Sequence, residues 1–315
     1  MKFNKKSSKN SFFLIIICDS IINESGGSMV SVIVPAYNEE KSINDTINEI
    51  IKVLKKNNLY KGSEIIVIDD GSTDKTNEVV RKKDVILLTN PTNMGYGYSL
   101  KKGITKAKNE TIIITDADMT YPFSSIPEML KEKEKGFDLV VGARTGKYYR
   151  QSIIKRILRK MLRRVVEFTT GKKIRDINSG LRIFDKSTVI KFFPKLCNTF
   201  SFTTTQTLAY FMNSLSVCYI NIDYRKRVGK SKIRLLRDSF ILSKYVIESC
   251  IYYNPLKIFS CVSVICIFLS IIAFIFSHFL GIKAGYILGL AGLITSIIVF
   301  SIGLLAVLLK QIMDK

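Results

Sequence analysis

The chain is organised around Ile112-Ile113-Ile114-Thr115-Asp116-Ala117-Asp118, an apolar run that ends in two carboxylates one residue apart. A short apolar run bounded by polar residues is typical of a strand covered on both faces. In an open α/β sheet, ligands bind outside the carboxyl ends of the strands. Alternation along an extended chain would point Asp116 and Asp118 to the same side. Such a pair suits Mg²⁺ or Mn²⁺ together with a substrate phosphate, whereas the alternative is a solvated turn after a strand.

Apolar runs of strand length alternate with segments of helical periodicity from residue 30 onward. Pro35 closes the first predicted strand. The predicted strands are residues 30–34, 65–68, 85–88, 112–114, 139–141 and 217–222. Between the first two, apolar residues follow helical spacing at Ile43, Ile47, Ile50, Ile51 and Leu54. This alternation predicts an α/β domain with a mainly parallel sheet and right-handed crossovers.

Two further predicted strands also end in small or polar residues. Pro35-Ala36-Tyr37-Asn38-Glu39-Glu40 follows the first strand, and Asp69-Asp70-Gly71-Ser72 follows the second. Three such ends on one sheet edge predict a binding site. No G-x-G-x-x-G follows the first strand, and the chain has no Walker A lysine loop, so a dinucleotide-binding dehydrogenase and a P-loop enzyme are disfavoured.

The composition combines strong positive charge with high apolar content. The formal net charge is +22 and 47% of the residues are hydrophobic. Such charge favours nucleic acid, an anionic membrane surface or a phosphorylated substrate as partner. The six cysteines form no CxxC pair, which predicts reduced thiols. The single histidine, His278, lies in an apolar run, which excludes a histidine-based metal site or catalytic triad.

The C-terminal part decides among these partners. Residues 258–280 and 284–309 are uncharged and long enough to span a bilayer, since about 20 apolar residues suffice. Gly281-Ile282-Lys283 joins them as a hairpin, and Gly285 and Gly289 have the small-xxx-small spacing that packs spans together. Two spans return the chain to one side, which the positive-inside rule makes cytoplasmic. A membrane enzyme for a phosphorylated substrate is therefore favoured, and nucleic-acid binding is disfavoured.

Basic segments precede the spans. Residues 151–168 form a predicted basic amphipathic helix, either in the membrane interface or packed on the sheet with a solvated basic face. Residues 224–232 place five cations around Gly229 and Ser231, which suits a phosphate-binding loop, the alternative being a disordered surface tail. Residues 235–253 are a second amphipathic stretch, which Pro255 ends.

These patterns predict four parts of the chain. Residues 1–28 are an N-terminal extension, either outside the functional protein with Met29 as its start or a loose membrane-facing tail. Residues 29–234 are the catalytic domain and residues 235–256 an amphipathic juxtamembrane helix. Residues 257–315 hold two transmembrane helices and a short tail. The protein is expected to be a multi-pass cell-membrane protein with its catalytic domain in the cytoplasm.

Four segments together resemble a known family. They are Val32-Ile33-Val34-Pro35-Ala36-Tyr37-Asn38-Glu39-Glu40, Val67-Ile68-Asp69-Asp70-Gly71-Ser72-Thr73-Asp74, Asn93-Met94-Gly95 and Asp116-Ala117-Asp118. In this order and spacing they resemble family 2 glycosyltransferases, and more narrowly the polyisoprenyl-phosphate sugar transferases such as dolichyl-phosphate mannose and glucose synthases. The match runs from about residue 30 to residue 233. The resemblance implies a GT-A fold, a divalent metal and an inverting, single-displacement mechanism.

The resemblance also assigns roles to residues. Those assigned to the nucleotide are Pro35, Ala36, Tyr37, Glu39, Asp70, Gly95 and Asp116, with Asp70 accepting from a base N–H. Asp118 would bind the metal directly, and Asp116 would hold the ribose or the metal and its water. Those assigned to the acceptor phosphate are Arg144, Arg227, Ser231 and Lys232. Asp176 and Arg182 match a segment lining the sugar and acceptor cleft, and with Asp118 they are the catalytic candidates.

The function implied is transfer of one hexose, such as glucose or mannose, from a UDP- or GDP-sugar to a polyprenyl or dolichyl phosphate. A lipid phosphate is already an anion, so the reaction needs cations to hold it in line rather than a strong general base. Thr120 stands where many mannose synthases carry a glutamine, so the sugar stays open, as does assembly into a homo-oligomer. The alternatives are an enzyme that extends a lipid-linked glycan, which needs a carboxylate base, and a non-catalytic membrane scaffold.

Overall fold

The computed structural model describes residues 29–149, 153–228, 244, 246–248 and 250–313. They divide into two compact units. Of the described residues, the first unit contains 29–149, 179–193 and 217–228, and the second contains 153–178, 194–216 and those from 244 onward. The predicted boundaries at residues 28, 234 and 256 stay predictions, because the first two fall outside the described residues.

A seven-stranded sheet forms the framework of the first unit. The strands are β1 (Val30–Ala36), β2 (Glu64–Asp69), β3 (Ile86–Thr89), β4 (Thr111–Ile114), β5 (Leu139–Thr145), β6 (Arg182–Asp185) and β7 (Val217–Asp223). Their order across the sheet is β3-β2-β1-β4-β6-β5-β7. All pairs are parallel except those of β6, which runs antiparallel to β4 and β5. The predicted mainly parallel sheet is confirmed.

Three strand predictions differ from the structure by more than one residue at an end. β5 runs to Thr145, four residues beyond its predicted end at residue 141. β6 was missed, since it has only four residues and begins with an arginine, which gives no apolar run. β1 continues through Pro35 to Ala36 rather than ending before the proline. Pro35 has no N–H to donate, but pairing beyond it uses a carbonyl, because the Ala36 oxygen accepts from the Asp70 N–H at 2.8 Å.

The helices follow the predicted alternation. They are α1 (Ile43–Lys56), α2 (Thr76–Arg81), α3 (Tyr96–Lys106), α4 (Ile126–Glu134), α5 (Ile153–Thr170), α6 (Lys186–Ile190), α7 (Phe202–Met212), α8 (Pro255–Leu280) and α9 (Lys283–Met313). α1 buries Ile43, Ile47, Ile50 and Leu54 in the core of the first unit, which confirms its predicted apolar face. Burying each of these side chains contributes about 2 kcal/mol.

The second unit contains α5, α7 and the C-terminal helix pair. α5 packs against α7, whose residues from Phe202 to Tyr210 are all buried. Most of the second amphipathic stretch, residues 235–253, lies outside the described residues, but residues 250–253 are helical. α8 starts immediately afterwards at Pro255, where the side chain of Asn254 accepts from the N–H of Lys257.

α8 and α9 are both long and apolar enough to cross a membrane. Gly281 connects them with a φ of +69°, the left-handed conformation that glycine adopts without strain. Their contact follows a seven-residue repeat in α8, where Ser263, Ser270 and Ser277 are buried. The predicted packing role of two glycines agrees with the structure: a Cβ at Gly285 would lie 2.7 Å from Ser277 Cβ, and one at Gly289 would lie 2.7 Å from the Phe274 ring.

Candidate active site

The candidate site lies at the carboxyl ends of β1, β2 and β4. β1 pairs with β2 on one side and with β4 on the other, so the chain order changes direction here. In open α/β sheets ligands bind at this topological switch point. Ala36, the last residue of β1, is the register partner of Asp69, the last residue of β2. The predicted polar strand ends therefore do meet at one edge of the sheet.

The loops after β1 and β2 are joined by their own polar groups. Asn38 adopts a φ of +52°, and its side-chain oxygen accepts from the N–H of Thr73 at 2.7 Å. In return the N–H of Asn38 donates to the Ser72 hydroxyl at 2.9 Å, and the N–H of Glu39 donates to the Thr76 hydroxyl at 2.8 Å. These bonds fix the loop that carries Tyr37 and Glu39, two of the predicted nucleotide residues.

Asp70 is buried and holds the loop before α3. Its Oδ1 accepts from the Asn90 amide at 2.7 Å and from the N–H of Met94 at 2.9 Å, while Oδ2 accepts from the N–H of Gly95 at 2.9 Å. Gly71 beside it has a φ of +73°, and a Cβ there would lie 2.5 Å from the Thr92 carbonyl carbon, so only glycine fits. Asp70 thus organises the Asn93-Met94-Gly95 motif in addition to its predicted contact with a base.

Asp116 follows β4 and is positioned by two residues distant in sequence. Its Oδ1 accepts from the Tyr96 hydroxyl at 3.0 Å. Burial and the Asp116 carboxylate raise the pKa of Tyr96 well above its ordinary value, so the phenol stays protonated and donates. On another side, a Cβ built on Gly180 would lie 2.7 Å from Asp116 Oδ1. The bare backbone at Gly180 therefore leaves the space that the carboxylate occupies.

Asp118 is buried and oriented by a sharp turn. Its Oδ1 accepts from the N–H of Thr120 at 3.1 Å and from the Thr120 hydroxyl at 2.5 Å. Met119, between them, has a φ of +62°, a left-handed conformation that costs about 1–2 kcal/mol for a non-glycine residue. Strain of this kind is retained at functional sites. Thr120 therefore acts as a hydrogen-bond donor that aims the carboxylate.

The basic loop after β7 is attached to the same corner. The N–H groups of Arg225 and Val228 donate to the carbonyls of Thr120 and Asp118 at 2.9 and 3.3 Å. Through these bonds Arg227 reaches the site, with Nη1 3.4 Å from Asp118 Oδ2 and Nη2 2.8 Å from an oxygen of Glu39. The structure thus brings one predicted phosphate-binding residue against a predicted metal ligand.

Other cations of the predicted phosphate site have different surroundings. Arg144 lies on β5 with its guanidinium over two rings, 5.0 Å from the Tyr149 centroid and 5.5 Å from the Tyr224 centroid. Tyr224 in turn contacts Tyr121 edge to face at 5.5 Å. The two rings hold the guanidinium of Arg144 by cation–π contacts, and its positive charge opposes the rise in the pKa of Asp116. Ser231 and Lys232 lie outside the described residues.

The two remaining catalytic candidates are both buried. Arg182 is the first residue of β6, has no exposed surface, and donates from Nε to the Ser179 carbonyl at 2.7 Å. Its charge opposes the rise in the pKa of Tyr96, so it acts on the Tyr96–Asp116 pair electrostatically. Asp176 belongs to the second unit, where its carboxylate accepts from the N–H of Asn178 at 3.2 Å.

The carboxylate pair fits a divalent cation. Asp116 and Asp118 offer the hard oxygen donors that Mg²⁺ and Mn²⁺ prefer. Burial, together with the negative charge of Asp118, raises the pKa of Asp116 to about 7, so a bound cation would stabilise the fully charged pair. Among the described residues no group of three or more His, Cys, Asp or Glu side chains forms a metal site. The remaining ligands would come from substrate phosphate and water.

Residues 31–193 match the family model of glycosyl transferase family 2, and the chain belongs to this family. It is therefore a glycosyltransferase, and its sheet and polar strand ends are those of a GT-A fold. The family resemblance inferred from the four segments is confirmed.

Curated relatives are transferases for lipid phosphates. The chain is 27% identical over 249 residues to the undecaprenyl-phosphate 4-deoxy-4-formamido-L-arabinose transferase of Yersinia pestis, covering 74% of this chain and 70% of the relative. The enzyme of the same name from Pectobacterium atrosepticum is also 27% identical, with 73% and 70% covered.

Solved structures agree on the fold. Glucosyl-3-phosphoglycerate synthase from Mycobacterium tuberculosis, crystallised with Mn²⁺, UDP and its product, superposes with a TM-score of 0.58 at 17% identity over 79% of this chain and 86% of that chain. The same enzyme with Mg²⁺ and UDP gives a TM-score of 0.59 at 17% identity, covering 74% and 83%. At this identity the likeness establishes the fold.

Several site residues escape the sequence patterns. Tyr96 and Gly180 meet Asp116 from 20 and 64 positions away, and neither belongs to a periodic pattern. Tyr149 and Tyr224, whose rings flank Arg144, also belong to no periodic pattern. A sequence signal existed for Tyr224, which is the first residue of the basic segment 224–232.

Proposed function

We propose that this glycosyltransferase transfers one hexose, such as glucose or mannose, from a UDP- or GDP-sugar to a polyprenyl phosphate. The observation that carries the proposal is the position of Arg227, whose guanidinium lies against both Asp118 and Glu39. A cation proposed to bind phosphate, directly beside a carboxylate proposed to bind the metal, would bring an anionic acceptor next to the departing diphosphate. The names of the curated relatives, which act on undecaprenyl phosphate, support the same class of acceptor.

On the donor side, the loops after β1 and β2 are proposed to enclose the nucleotide. Pro35, Ala36 and Tyr37 would line the base and ribose, and Asp70 would accept from a base N–H through a lone pair that its loop contacts leave available. Asp116 and Asp118 would hold Mg²⁺ or Mn²⁺. When bound, the metal supplies positive charge that stabilises the departing nucleotide diphosphate.

On the acceptor side, Arg227 and Arg144 would hold the lipid phosphate in line with the anomeric carbon, joined by Ser231 and Lys232. The phosphate oxygen is already charged, so no side chain has to remove a proton from it. Orientation and charge stabilisation then supply most of the catalysis. Asp176 and Arg182 remain proposed catalytic residues, with Arg182 acting by its buried charge rather than by contact.

The C-terminal helices are proposed to anchor the enzyme. Lys257 in the first turn of α8 and Lys310 in the last turn of α9 mark the same end of the pair, which the positive-inside rule assigns to the cytoplasm. α8 and α9 would then cross the cell membrane twice, with the catalytic domain, residues 29–234, on the cytoplasmic face. An acceptor phosphate at the headgroup level of that face would then lie on the same side of the membrane as the catalytic domain.

The test is a donor and acceptor panel. Purified protein would be incubated with Mn²⁺ or Mg²⁺, undecaprenyl phosphate, and UDP- or GDP-linked glucose, mannose and 4-deoxy-4-formamido-L-arabinose, and the product lipid identified by mass. One sugar added to the phosphate is expected. A product formed only on a lipid-linked glycan would favour the extending enzyme. No product with any donor, from protein that binds a nucleotide-sugar, would overturn the proposed acceptor.

A further inference from the structure

α5 leaves part of its apolar side uncovered. The side chains of Met161, Val165 and Phe168 are 62%, 42% and 45% exposed. Their spacing of four and three residues places them on one line along the helix, here termed the α5 stripe. Leaving large apolar side chains in water is unfavourable, so a continuous stripe of them points to a covering partner.

The surroundings of the α5 stripe indicate which partner. On one flank, Val166 and Thr169 are buried within the second unit. On the other flank, Lys160 and Arg164 are exposed. The order around the helix is therefore buried, exposed apolar, exposed cationic. A helix lying in a membrane surface has this order, because its apolar strip enters the acyl boundary while its cations stay beside the phosphates.

The end of α5 is tied to the start of the first predicted span. The Thr169 hydroxyl lies 3.1 Å from the sulfur of Cys250. Lys257, in the first turn of α8, donates to the Phe168 carbonyl and places its Nζ 4.6 Å from the Phe168 ring centroid. Phe168 is thus level with the first turn of α8. If α8 spans a bilayer, this is the headgroup level, where aromatic rings and snorkelling lysines concentrate.

The uncovered apolar surface continues next to α8. Ile247 and Ile251, four residues apart on the helical segment before α8, are also exposed. At the same end of the helix pair, Lys310 donates to the Tyr253 carbonyl at 2.9 Å and lies 5.8 Å from the Tyr252 ring centroid. The α5 stripe, these two isoleucines and the lysine–tyrosine contacts all belong to the second unit.

We propose that the α5 stripe, with Ile247 and Ile251, rests in the headgroup region of an anionic bilayer. The inference depends on α8 and α9 being membrane spans, as in the proposed function, and adds a second membrane contact to them. Continuity with the end of α8 and the adjoining cations favour lipid over a protein partner. α5 then acts as a support that fixes the second unit on the membrane surface.

The test uses the absence of tryptophan from the chain. Met161→Trp, Val165→Trp and Phe168→Trp, made singly in the full chain, each introduce one fluorophore. Each protein would be reconstituted in vesicles of phosphatidylcholine and phosphatidylglycerol, and its emission quenched either by lipids brominated along the acyl chain or by aqueous iodide. Two matched variants calibrate the scale: Ile190→Trp in the first unit, 38% exposed, and Phe268→Trp in the middle of α8, 62% exposed.

The expected result is quenching of all three α5 variants by lipids brominated close to the headgroup, with little effect of iodide and emission at shorter wavelength than Ile190→Trp. Iodide quenching at Met161→Trp and Val165→Trp, with bromolipid quenching intact at Phe268→Trp, would overturn the inference and leave the spans in place. Protection from iodide without bromolipid quenching would reveal a protein cover and also overturn it. Iodide access at Phe268→Trp would overturn the proposed anchoring and this inference together.

Discussion

The guanidinium of Arg227 bridges two carboxylates, with Nη1 3.4 Å from Asp118 Oδ2 and Nη2 2.8 Å from Glu39 Oε1. Asp118 is also a proposed metal ligand. Arg227, which is proposed to hold the acceptor phosphate, therefore competes with the metal for the negative charge of Asp118. The N–H of Val228 donates to the carbonyl of Asp118, and this hydrogen bond holds the loop that carries Arg227 beside the site. Binding of the donor with its metal would therefore release Arg227 from Asp118 toward the acceptor.

Arg227→Ala is expected to weaken use of the acceptor and tighten binding of Mn²⁺. Removing one positive charge beside the pair lowers the repulsion felt by the metal by about 1 kcal/mol, or roughly fivefold in affinity. Acceptor KM should rise, while donor KM changes little. Mn²⁺ affinity is measured by electron paramagnetic resonance and KM by product mass. Arg225→Ala is the matched control, because Arg225 belongs to the same loop but pairs with Glu49; equal effects of both variants would contradict the role of Arg227.

Asp118→Asn is expected to abolish turnover with little loss of folding stability. The amide keeps the size of the carboxylate but removes the charge that a divalent ion needs. Loss of a residue that only supports a metal ligand lowers affinity by up to about 100-fold, so loss of the ligand itself should lower Mn²⁺ affinity by at least that factor. Calorimetric titration with Mn²⁺ and thermal unfolding separate the two effects. Asp45→Asn, an exposed carboxylate in the first turn of α1, serves as control and should leave both unchanged. Normal turnover in Asp118→Asn would refute the metal assignment.

Tyr96→Phe removes the single hydroxyl that donates to Asp116 Oδ1. We expect about a tenfold loss of Mn²⁺ affinity, the usual cost of removing a hydrogen bond to a metal ligand, with thermal stability nearly unchanged. Tyr98→Phe, on the same helix but 37% exposed, is the matched control. If Tyr96→Phe binds Mn²⁺ as the unmodified enzyme does, Tyr96 has no part in positioning Asp116.

Gly180→Ala should displace Asp116 and leave the fold intact. The added Cβ would lie 2.7 Å from Asp116 Oδ1, so the carboxylate must move while the backbone of residue 180 can stay. Activity is expected to fall at least about tenfold, as in Tyr96→Phe. Gly136→Ala should instead lower stability and leave activity unchanged. An alanine at its φ of +97° costs about 1 kcal/mol, and no atom lies within 4 Å of the new Cβ. Full activity in Gly180→Ala would contradict this prediction, because it would show that the added methyl group does not move the Asp116 carboxylate out of its functional position.

The sequence predicted those parts of the site that lie at the ends of strands. Asp69-Asp70-Gly71-Ser72 and Asp116-Ala117-Asp118 follow buried apolar runs, and parallel pairing brings such ends together whatever the intervening helices contain. The contact of Gly180 with Asp116 could not be predicted, because it depends on β6 entering the sheet antiparallel beside β4. The contact of Tyr96 with Asp116 depends instead on how α3 packs on β1 and β2, which the helical periodicity of α3 does not specify. A four-residue strand that starts with a buried arginine carries no periodic signal.

For the α8–α9 hairpin, the sequence contained a longer packing pattern than the one on which the prediction relied. Gly285 and Gly289 indicated close packing, yet the longer repeat is Ser263, Ser270 and Ser277, spaced by seven residues in α8. Gly292 lies opposite Ser270, and Ser296 opposite Ser263. A seven-residue repeat of small residues is what two helices need to approach along their whole length.

Two substitutions distinguish close packing from hydrogen bonding as the interaction that holds α8 against α9. Ser263 and Ser296 share a hydrogen bond of 2.8 Å, and Ser263 Oγ also reaches the Ser296 carbonyl at 3.0 Å. Ser263→Ala removes both bonds and should cost about 0.6 kcal/mol, the mean value for such bonds between spans. Gly292→Val inserts a branched side chain where a Cβ would already overlap the Ser270 hydroxyl, so we expect the larger loss, about 1–3 kcal/mol from overpacking.

Both variants would be compared by thermal unfolding in detergent and by protection of Cys266, one turn before Ser270, from a thiol reagent. Leu288→Val, an outward-facing change on α9 at a side chain 67% exposed, controls for the effect of a branched residue in that helix. Because the small residues are buried at the contact while the large ones face outward, separating α8 from α9 should raise thiol reactivity in Gly292→Val only. A greater effect of Ser263→Ala would mean that hydrogen bonds, rather than close approach, hold the hairpin.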